Sequence, residues 1–103
     1  MRIFNYTTIR DFWGTHPGSK EALIYWYDIT EQATWNTSMD VKHTFRTADI
    51  LSGDRVVFDI KGNAYRLIAL VNYQSLFIKF IGTHPEYDRV DALTVDAYGG
   101  GVK

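Results

Sequence analysis

The spacing of the apolar residues changes at Ser52, Gly53 and Asp54, and this change limits the fold more than any other feature of the sequence. Before it, apolar side chains recur every three or four residues, which is the spacing of an amphipathic helix. After it, apolar and polar side chains alternate from Arg55 onwards, which is typical of a strand with one face against a core. A helical first half followed by strands predicts an α+β fold.

Three short helices are predicted in the first half, over about residues 1–48. Thr7 or Thr8 can cap the first helix, and the helical spacing of its apolar residues continues until Pro17 and Gly18 interrupt it. These apolar residues are Ile9, Phe12 and Trp13. The N-terminal helices are expected to pack on one face of the sheet.

Ser19 can cap the second helix, whose apolar stripe should face the core. The stripe consists of Leu23, Trp26, Tyr27, Thr30 and Ala33. Thr37 and Asp40 approximate a capping box, with Asp at the position where Glu or Gln is usual. They predict the start of a third helix, which carries Val41 and Phe45.

Gly62 and Asn63 suit a two-residue type II′ turn, because glycine takes the positive φ of the first central position without a steric clash. This turn would place Asp59 opposite Arg66 on the neighbouring strand. One face of the hairpin would be almost purely apolar and covered by helices: Val56, Phe58, Ile60, Tyr65, Leu67, Ala69 and Val71. The other face would be mixed: Arg55, Asp59, Arg66, Ile68 and Leu70.

A further strand is expected from about Leu76 to Thr83, so that a small antiparallel sheet spans about residues 55–84. A loop of two or four residues around Gln74 and Ser75 keeps the same faces. Leu76, Ile78 and Phe80 would then join the apolar face, and Phe77, Lys79 and Ile81 the mixed face.

One face of an antiparallel sheet can stay open to solvent. Here that open face would present three cations, Arg55, Arg66 and Lys79, among aliphatic side chains.

Length and composition favour one domain over residues 1–103, because 46% of the residues are hydrophobic and 16% aromatic. The absence of cysteine excludes disulfides and thiolate metal sites and fits the cytoplasm. Residues 1–6 turn polar too soon for a signal peptide, and no apolar run is long enough for a membrane span. In the C-terminal segment, residues 85–103, the run Gly99 to Gly101 indicates a frayed end.

The formal net charge of −1 gives no support for nucleic-acid binding, so any such binding must depend on a local patch. His16, His43 and His84 are too far apart in the sequence for a typical metal motif, and no glycine-rich phosphate loop is present. We therefore expect neither a metal ion nor another cofactor.

Residues 82–89 place an imidazole, two carboxylates, a phenol and a guanidinium directly after the last predicted strand. The groups belong to His84, Glu86, Asp88, Tyr87 and Arg89. Loops at strand ends often carry functional groups on a rigid scaffold, so this segment is the best candidate for chemistry.

Three stretches, Arg55–Asn63, Tyr65–Leu67 and Phe80–Asp88, resemble the HigB toxin family of bacterial type II toxin–antitoxin systems. The likeness extends to Phe12-Trp13, to the Leu23–Tyr27 stripe and to Phe45-Arg46. It implies a RelE/ParE-like fold and cleavage of messenger RNA on translating ribosomes. It also implies neutralisation by a HigA-like helix-turn-helix antitoxin, with operator DNA contacted only through the antitoxin complex.

Metal-independent RNA cleavage needs a base for the 2′-hydroxyl, cations for the charged phosphorane, and an acid or cation for the 5′-oxygen. His84 is the candidate acid or base, because an imidazole titrates near neutral pH. Tyr87 can stack on a base or orient the phosphate, and Asp88 or Glu86 can orient the histidine. The predicted catalytic residues are Arg66, Lys79, His84, Tyr87 and Asp88. The predicted RNA contacts are Arg55, Lys61, Asn63 and Glu86.

Simpler structural roles are open for the same residues. Arg66 can pair with Asp59 across the strands, Lys79 can keep the sheet soluble, and His84 can sit in a turn with Pro85. Tyr87 can be a core residue. Lys42, His43 and Arg46 are expected on a solvated face of the third helix, and His16 at a helix end.

Two other functions remain open at this point. One is a non-enzymatic RelE/ParE-like poison that inhibits a protein target by contact. The other is a module that only binds an antitoxin and thereby tunes transcription.

Overall fold

The computed structural model describes residues 1–72 and 74–96. In chain order the elements are β1 (Arg2–Phe4), α1 (Tyr6–Thr15), a 3₁₀ turn (Pro17–Ser19), α2 (Lys20–Gln32), α3 (Ser38–Thr44), β2 (Asp49–Ile50), β3 (Arg55–Ile60), β4 (Tyr65–Asn72), β5 (Ser75–Thr83) and α4 (His84–Tyr87). Within these residues the strands form a five-stranded sheet in the order β1-β5-β4-β3-β2. The run Gly99 to Gly101 lies outside the described residues.

The α+β fold is confirmed, and β3, β4 and β5 form the predicted antiparallel sheet. The sheet as a whole is mixed, because β1 adds to β5 in parallel. Neither edge strand was predicted. Residues 1–48 are therefore not helical throughout, since β1 precedes the first helix. None of the helices in the described part of the chain is long and apolar enough to cross a membrane.

The predicted cap of the first helix is wrong, and that of the second is confirmed in its position but makes no side-chain hydrogen bond to the helix. Helix α1 begins one residue before Thr7, and its N-cap is Asn5, whose φ of 72° lies in the left-handed region that asparagine tolerates. The side-chain amide of Asn5 donates through Nδ2 to the Ile78 carbonyl at 3.1 Å, which links the start of α1 to β5. Ser19 stands at the N-cap of α2, but its hydroxyl donates backwards to the His16 carbonyl at 2.7 Å.

The third cap is confirmed. Thr37 Oγ1 accepts the Asp40 amide at 3.3 Å, and Asp40 Oδ2 accepts the Thr37 amide at 3.1 Å, which completes the capping box of α3. Asp40 Oδ2 also accepts the Asn36 amide at 2.8 Å. These backbone donors, first Asn36 and then Thr37, stabilise the carboxylate and lower the pKa of Asp40 below its ordinary value.

The hairpin register is confirmed, with Asp59 opposite Arg66. The Ala64 amide donates to the Lys61 carbonyl at 3.2 Å across the turn, and Gly62 has a φ of 65°. Lys61 also takes a positive φ, 55°, which was not predicted. The predicted apolar face does pack under the helices, where α2 contributes Leu23, Trp26 and Thr30 to the buried core.

A β-bulge in β5 changes the faces predicted for its second half. Ile68 pairs with Phe80, whereas the next residue of β4, Ala69, pairs with Ile78, so Lys79 is an extra residue in β5. Phe80 therefore packs on the second face of the sheet with Val57 and Ile68, and Ile81 joins the core under the helices. The prediction was wrong for both residues, because it assumed unbroken alternation.

The second face of the sheet is not open as predicted. Val57, Ile68 and Phe80 form a small apolar cluster, and residues of the C-terminal segment pack over it. Those residues are Tyr87, Val90, Ala92 and Val95, and Leu51 adds to them from the loop after β2. Apolar contacts with the sheet therefore help to hold the segment 84–95 in place.

Candidate active site

Helix α4 places the reactive side chains at the end of β5. Thr83 caps this helix, since its Oγ1 accepts the Glu86 amide at 3.3 Å and its own amide donates to Glu86 Oε1 at 2.8 Å. The His84 amide donates to the Ala64 carbonyl at 3.1 Å, so α4 is also fixed to the β3–β4 turn. The Glu86 carboxylate serves this cap, which differs from its predicted role as an RNA contact.

His84 and Asp88 lie one helical turn apart and face each other. His84 Nδ1 is 3.4 Å from Asp88 Oδ2, and the two side chains are 42% and 60% exposed. A carboxylate at Nδ1 orients the imidazole ring. This contact leaves Nε2 as the ring nitrogen that can exchange a proton with a substrate.

Arg66 reaches the same place from β4. Its Nε is 2.8 Å from Asp59 Oδ1, and its Cζ lies 5.0 Å from the centre of the Tyr87 ring. The Tyr87 ring in turn lies 6.5 Å from the His84 ring. The pairing with Asp59 was foreseen as a simple ion pair, but the paired guanidinium also lies over the Tyr87 ring.

Gly82 leaves room for the Phe80 ring and for the Glu86 carboxylate that caps α4. It lies opposite Arg66 in the ladder and is buried. A Cβ at this position would come within 2.6 Å of the Phe80 ring and 3.0 Å of Glu86 Oε1. Any larger residue would push either the apolar cluster or the cap of α4 out of place. The sequence pattern gave no sign of this requirement, because it follows from the bulge.

The structure brings together Arg66, His84, Tyr87 and Asp88, four of the five predicted catalytic residues. The fifth, Lys79, lies farther along β5, where its Nζ is 3.3 Å from Asp96 Oδ1. The described residues contain no group of three or more His, Asp or Glu side chains placed to hold a metal ion.

The predicted RNA contacts are dispersed. The Lys61 ammonium lies on the helix side of the hairpin turn, since a Cβ added to Gly18 would be 3.4 Å from its Nζ. Asn63 is exposed at the turn. Arg55 Nη1 donates to the carbonyls of Ala92 at 3.2 Å and Val95 at 2.6 Å, so it binds the C-terminal segment.

Arg55→Ala is expected to loosen the segment 84–95 and to lower the free energy of unfolding by about 1.5–3 kcal/mol, because hydrogen bonds from a charged donor are lost. Urea denaturation gives the stability, and amide hydrogen exchange of residues 84–95 gives the local effect. Arg46→Ala, at an exposed arginine after α3, is the control and should change neither quantity. Unchanged exchange in Arg55→Ala would mean that apolar packing alone holds the segment.

Comparison with known proteins agrees with the resemblance seen in the sequence. A search of curated proteins found no match. The family profile HigB_toxin, described as the RelE-like toxic component of a toxin-antitoxin system, matches residues 19–90, which is more than half of the chain. The matched stretch contains β3, β4, β5 and the whole Arg66–His84–Tyr87–Asp88 cluster. The chain therefore belongs to the HigB toxin family, as the RelE-like toxic component of a toxin–antitoxin system whose partner is an antitoxin.

Proposed function

We propose that this toxin is a metal-independent endonuclease that cuts messenger RNA on translating ribosomes. The observation that carries the proposal is the cluster at the end of β5, where an exposed imidazole, a carboxylate, a phenol and a guanidinium meet. RNA can be cleaved by attack of the 2′-hydroxyl on the adjacent phosphate. This reaction requires groups that transfer protons and a cation that stabilises the phosphorane, and the cluster contains both.

In the proposed reaction the 2′-oxygen attacks the adjacent phosphorus and the bond from phosphorus to the 5′-oxygen breaks. The products are a 2′,3′-cyclic phosphate and a free 5′-hydroxyl. One proton leaves the 2′-hydroxyl and one is delivered to the 5′-oxygen. His84 Nε2 supplies one of these two transfers, and Asp88 keeps the ring oriented at Nδ1.

Arg66 is the cation proposed to stabilise the phosphorane. Its Nε forms an ion pair with Asp59 Oδ1 at 2.8 Å without the geometry of a hydrogen bond. In this proposal the two terminal nitrogens of the guanidinium donate to phosphate oxygens. Tyr87 fixes the plane of the guanidinium and offers a ring on which a base can stack. Lys79 has no catalytic part in this proposal, because its ammonium is paired with Asp96 away from the cluster.

The same proposal includes a HigA-like antitoxin as the neutralising partner and the cytoplasm as the site of action, since ribosomes translate there. Operator DNA would be reached only through the antitoxin.

The test is brief expression in bacterial cells, followed by mapping of RNA 5′ ends across a reporter transcript and a copy without a start codon. We expect new 5′ ends only in the translated copy, and loss of growth arrest when the antitoxin is co-expressed. Growth arrest without new 5′ ends would contradict the nuclease and favour a poison that acts by protein contact. Cuts in both copies would contradict ribosome dependence alone.

A further inference from the structure

Strand β1 creates a surface that the sequence did not predict. Phe4 on β1 and Phe77 on β5 are paired in the ladder, and their rings stack with centres 4.8 Å apart and planes 9° apart. The Arg2 guanidinium lies 5.1 Å from the centre of the Phe4 ring, and the Lys79 ammonium lies 6.0 Å from the centre of the Phe77 ring. Two stacked rings thus have a cation beside each, and of these cations Arg2 is exposed whereas Lys79 is paired with Asp96 at 3.3 Å.

These rings are not core residues. Ile3, which alternates with Phe4 along β1, packs into the core under the helices. The C-terminal segment covers the cluster of Val57, Ile68 and Phe80 on the other face. In the described part of the chain, Phe4 and Phe77 belong to neither cluster and both stay partly exposed.

Stacked aromatic rings beside cations suit single-stranded nucleic acid, because bases stack on rings and phosphates pair with the charges. The surface shares a strand with the candidate active site. Phe77 lies on β5, which leads into His84 about 23 Å farther along at the usual rise of a strand. The C-terminal segment packs over the sheet between the two places, so RNA that reaches both must pass around that segment.

We propose that Arg2, Phe4 and Phe77, with Lys79 packed beside Phe77, form a stacking platform for single-stranded RNA outside the scissile dinucleotide. This inference rests on the proposed function, since it assigns a second contact to the same RNA substrate. Arg2 and Phe4 lie outside the stretch matched by the family profile, residues 19–90.

The test measures the affinity of a fluorescently labelled single-stranded RNA of about ten nucleotides by fluorescence anisotropy, with every protein carrying His84→Ala to prevent cutting. Phe4→Leu keeps an apolar side chain against Phe77 but removes the ring. We expect it to raise the Kd about 5-fold or more, the effect of losing one stacked base. An abasic RNA of the same length should bind the parent protein and the Phe4→Leu variant with equal Kd.

Arg2→Ala is the second variant, and it tests the charge without touching the ladder, because Arg2 is exposed. It should lower the slope of log Kd against log salt by about 0.7, the contribution of one phosphate contact in single strands. The matched controls are Tyr25→Leu on α2, an aromatic residue that is 66% exposed, and Arg10→Ala on α1. Both should leave RNA binding unchanged.

Three results would overturn the platform. These are the absence of any RNA binding, equal affinities for the parent protein and both platform variants, or loss of antitoxin binding with RNA affinity unchanged. The last result would assign the surface to a protein partner. The binding assay does not depend on cleavage, so the two proposals can fail separately. If RNA binding depends on the platform but the toxin creates no new 5′ ends in cells, the nuclease proposal is contradicted and the platform is supported.

Discussion

Replacing His84 with alanine is expected to slow mRNA cleavage about 10²- to 10⁴-fold, the usual contribution of one positioned acid or base. The substitution removes the ring whose Nε2 is proposed to transfer a proton, and it leaves Arg66 and Tyr87 in place. Single-turnover cleavage of a labelled mRNA on purified programmed ribosomes measures the rate constant. The fold should be retained, because the His84 side chain is 42% exposed and surface changes usually alter stability by about 0.5 kcal/mol or less.

Two variants accompany this measurement. His43→Ala removes an exposed histidine of α3, outside the cluster, and should cut at the rate of the unaltered toxin. Asp88→Asn keeps a polar group near His84 Nδ1 but weakens the contact that orients the ring, so an intermediate rate is expected. If His84→Ala cuts at the unaltered rate, the imidazole has no part in the chemistry.

Phe58→Ala is expected to lower the free energy of unfolding by about 3–5 kcal/mol. Phe58 is 1% exposed and lies in the middle of an aromatic group. Its ring centre is 5.4 Å from Trp26, 6.2 Å from Trp35 and 5.4 Å from Phe45. Truncation would leave a cavity between the sheet and all of these rings. Since small domains unfold with about 5–15 kcal/mol, much of the total stability would be lost.

Urea denaturation followed by tryptophan fluorescence measures this effect directly. Phe58→Leu should cost less than Phe58→Ala, because leucine fills part of the cavity. Tyr25→Ala removes an aromatic ring of similar size from an exposed position of α2 and should cost about 0.5 kcal/mol or less. A loss below about 1 kcal/mol in Phe58→Ala would show that the helices do not pack on this face of the sheet.

The parts of the fold that depend on local chemistry could be predicted from the sequence. Gly62 set the hairpin register, and Thr37 with Asp40 marked the start of α3. The two edge strands could not be predicted, because Arg2–Phe4 and Asp49–Ile50 are too short to show alternation. Their formation depends on partners distant in the sequence.

Some residues of the candidate site could likewise be predicted from the sequence, and others could not. His84 and Asp88 could be found because they are neighbours in one segment, and Arg66 because the hairpin register set its face. The place of Lys79 away from the cluster could not be predicted, because its partner Asp96 is 17 residues away and the bulge at Lys79 breaks the periodicity of β5. The packing of the C-terminal segment over the second face could not be foreseen either, because it depends on contacts between residues that are distant in the sequence.

The parallel pairing of β1 with β5 has a consequence for synthesis. Arg2–Phe4 leaves the ribosome before its partners in the ladder, Ser75–Phe77, which follow more than 70 residues later. A growing chain therefore cannot close its sheet until β5 has emerged, and His84 and Asp88 follow later still. The groups proposed for catalysis thus come together only after every strand of the described sheet is available, so a nascent chain cannot act before its sheet can form.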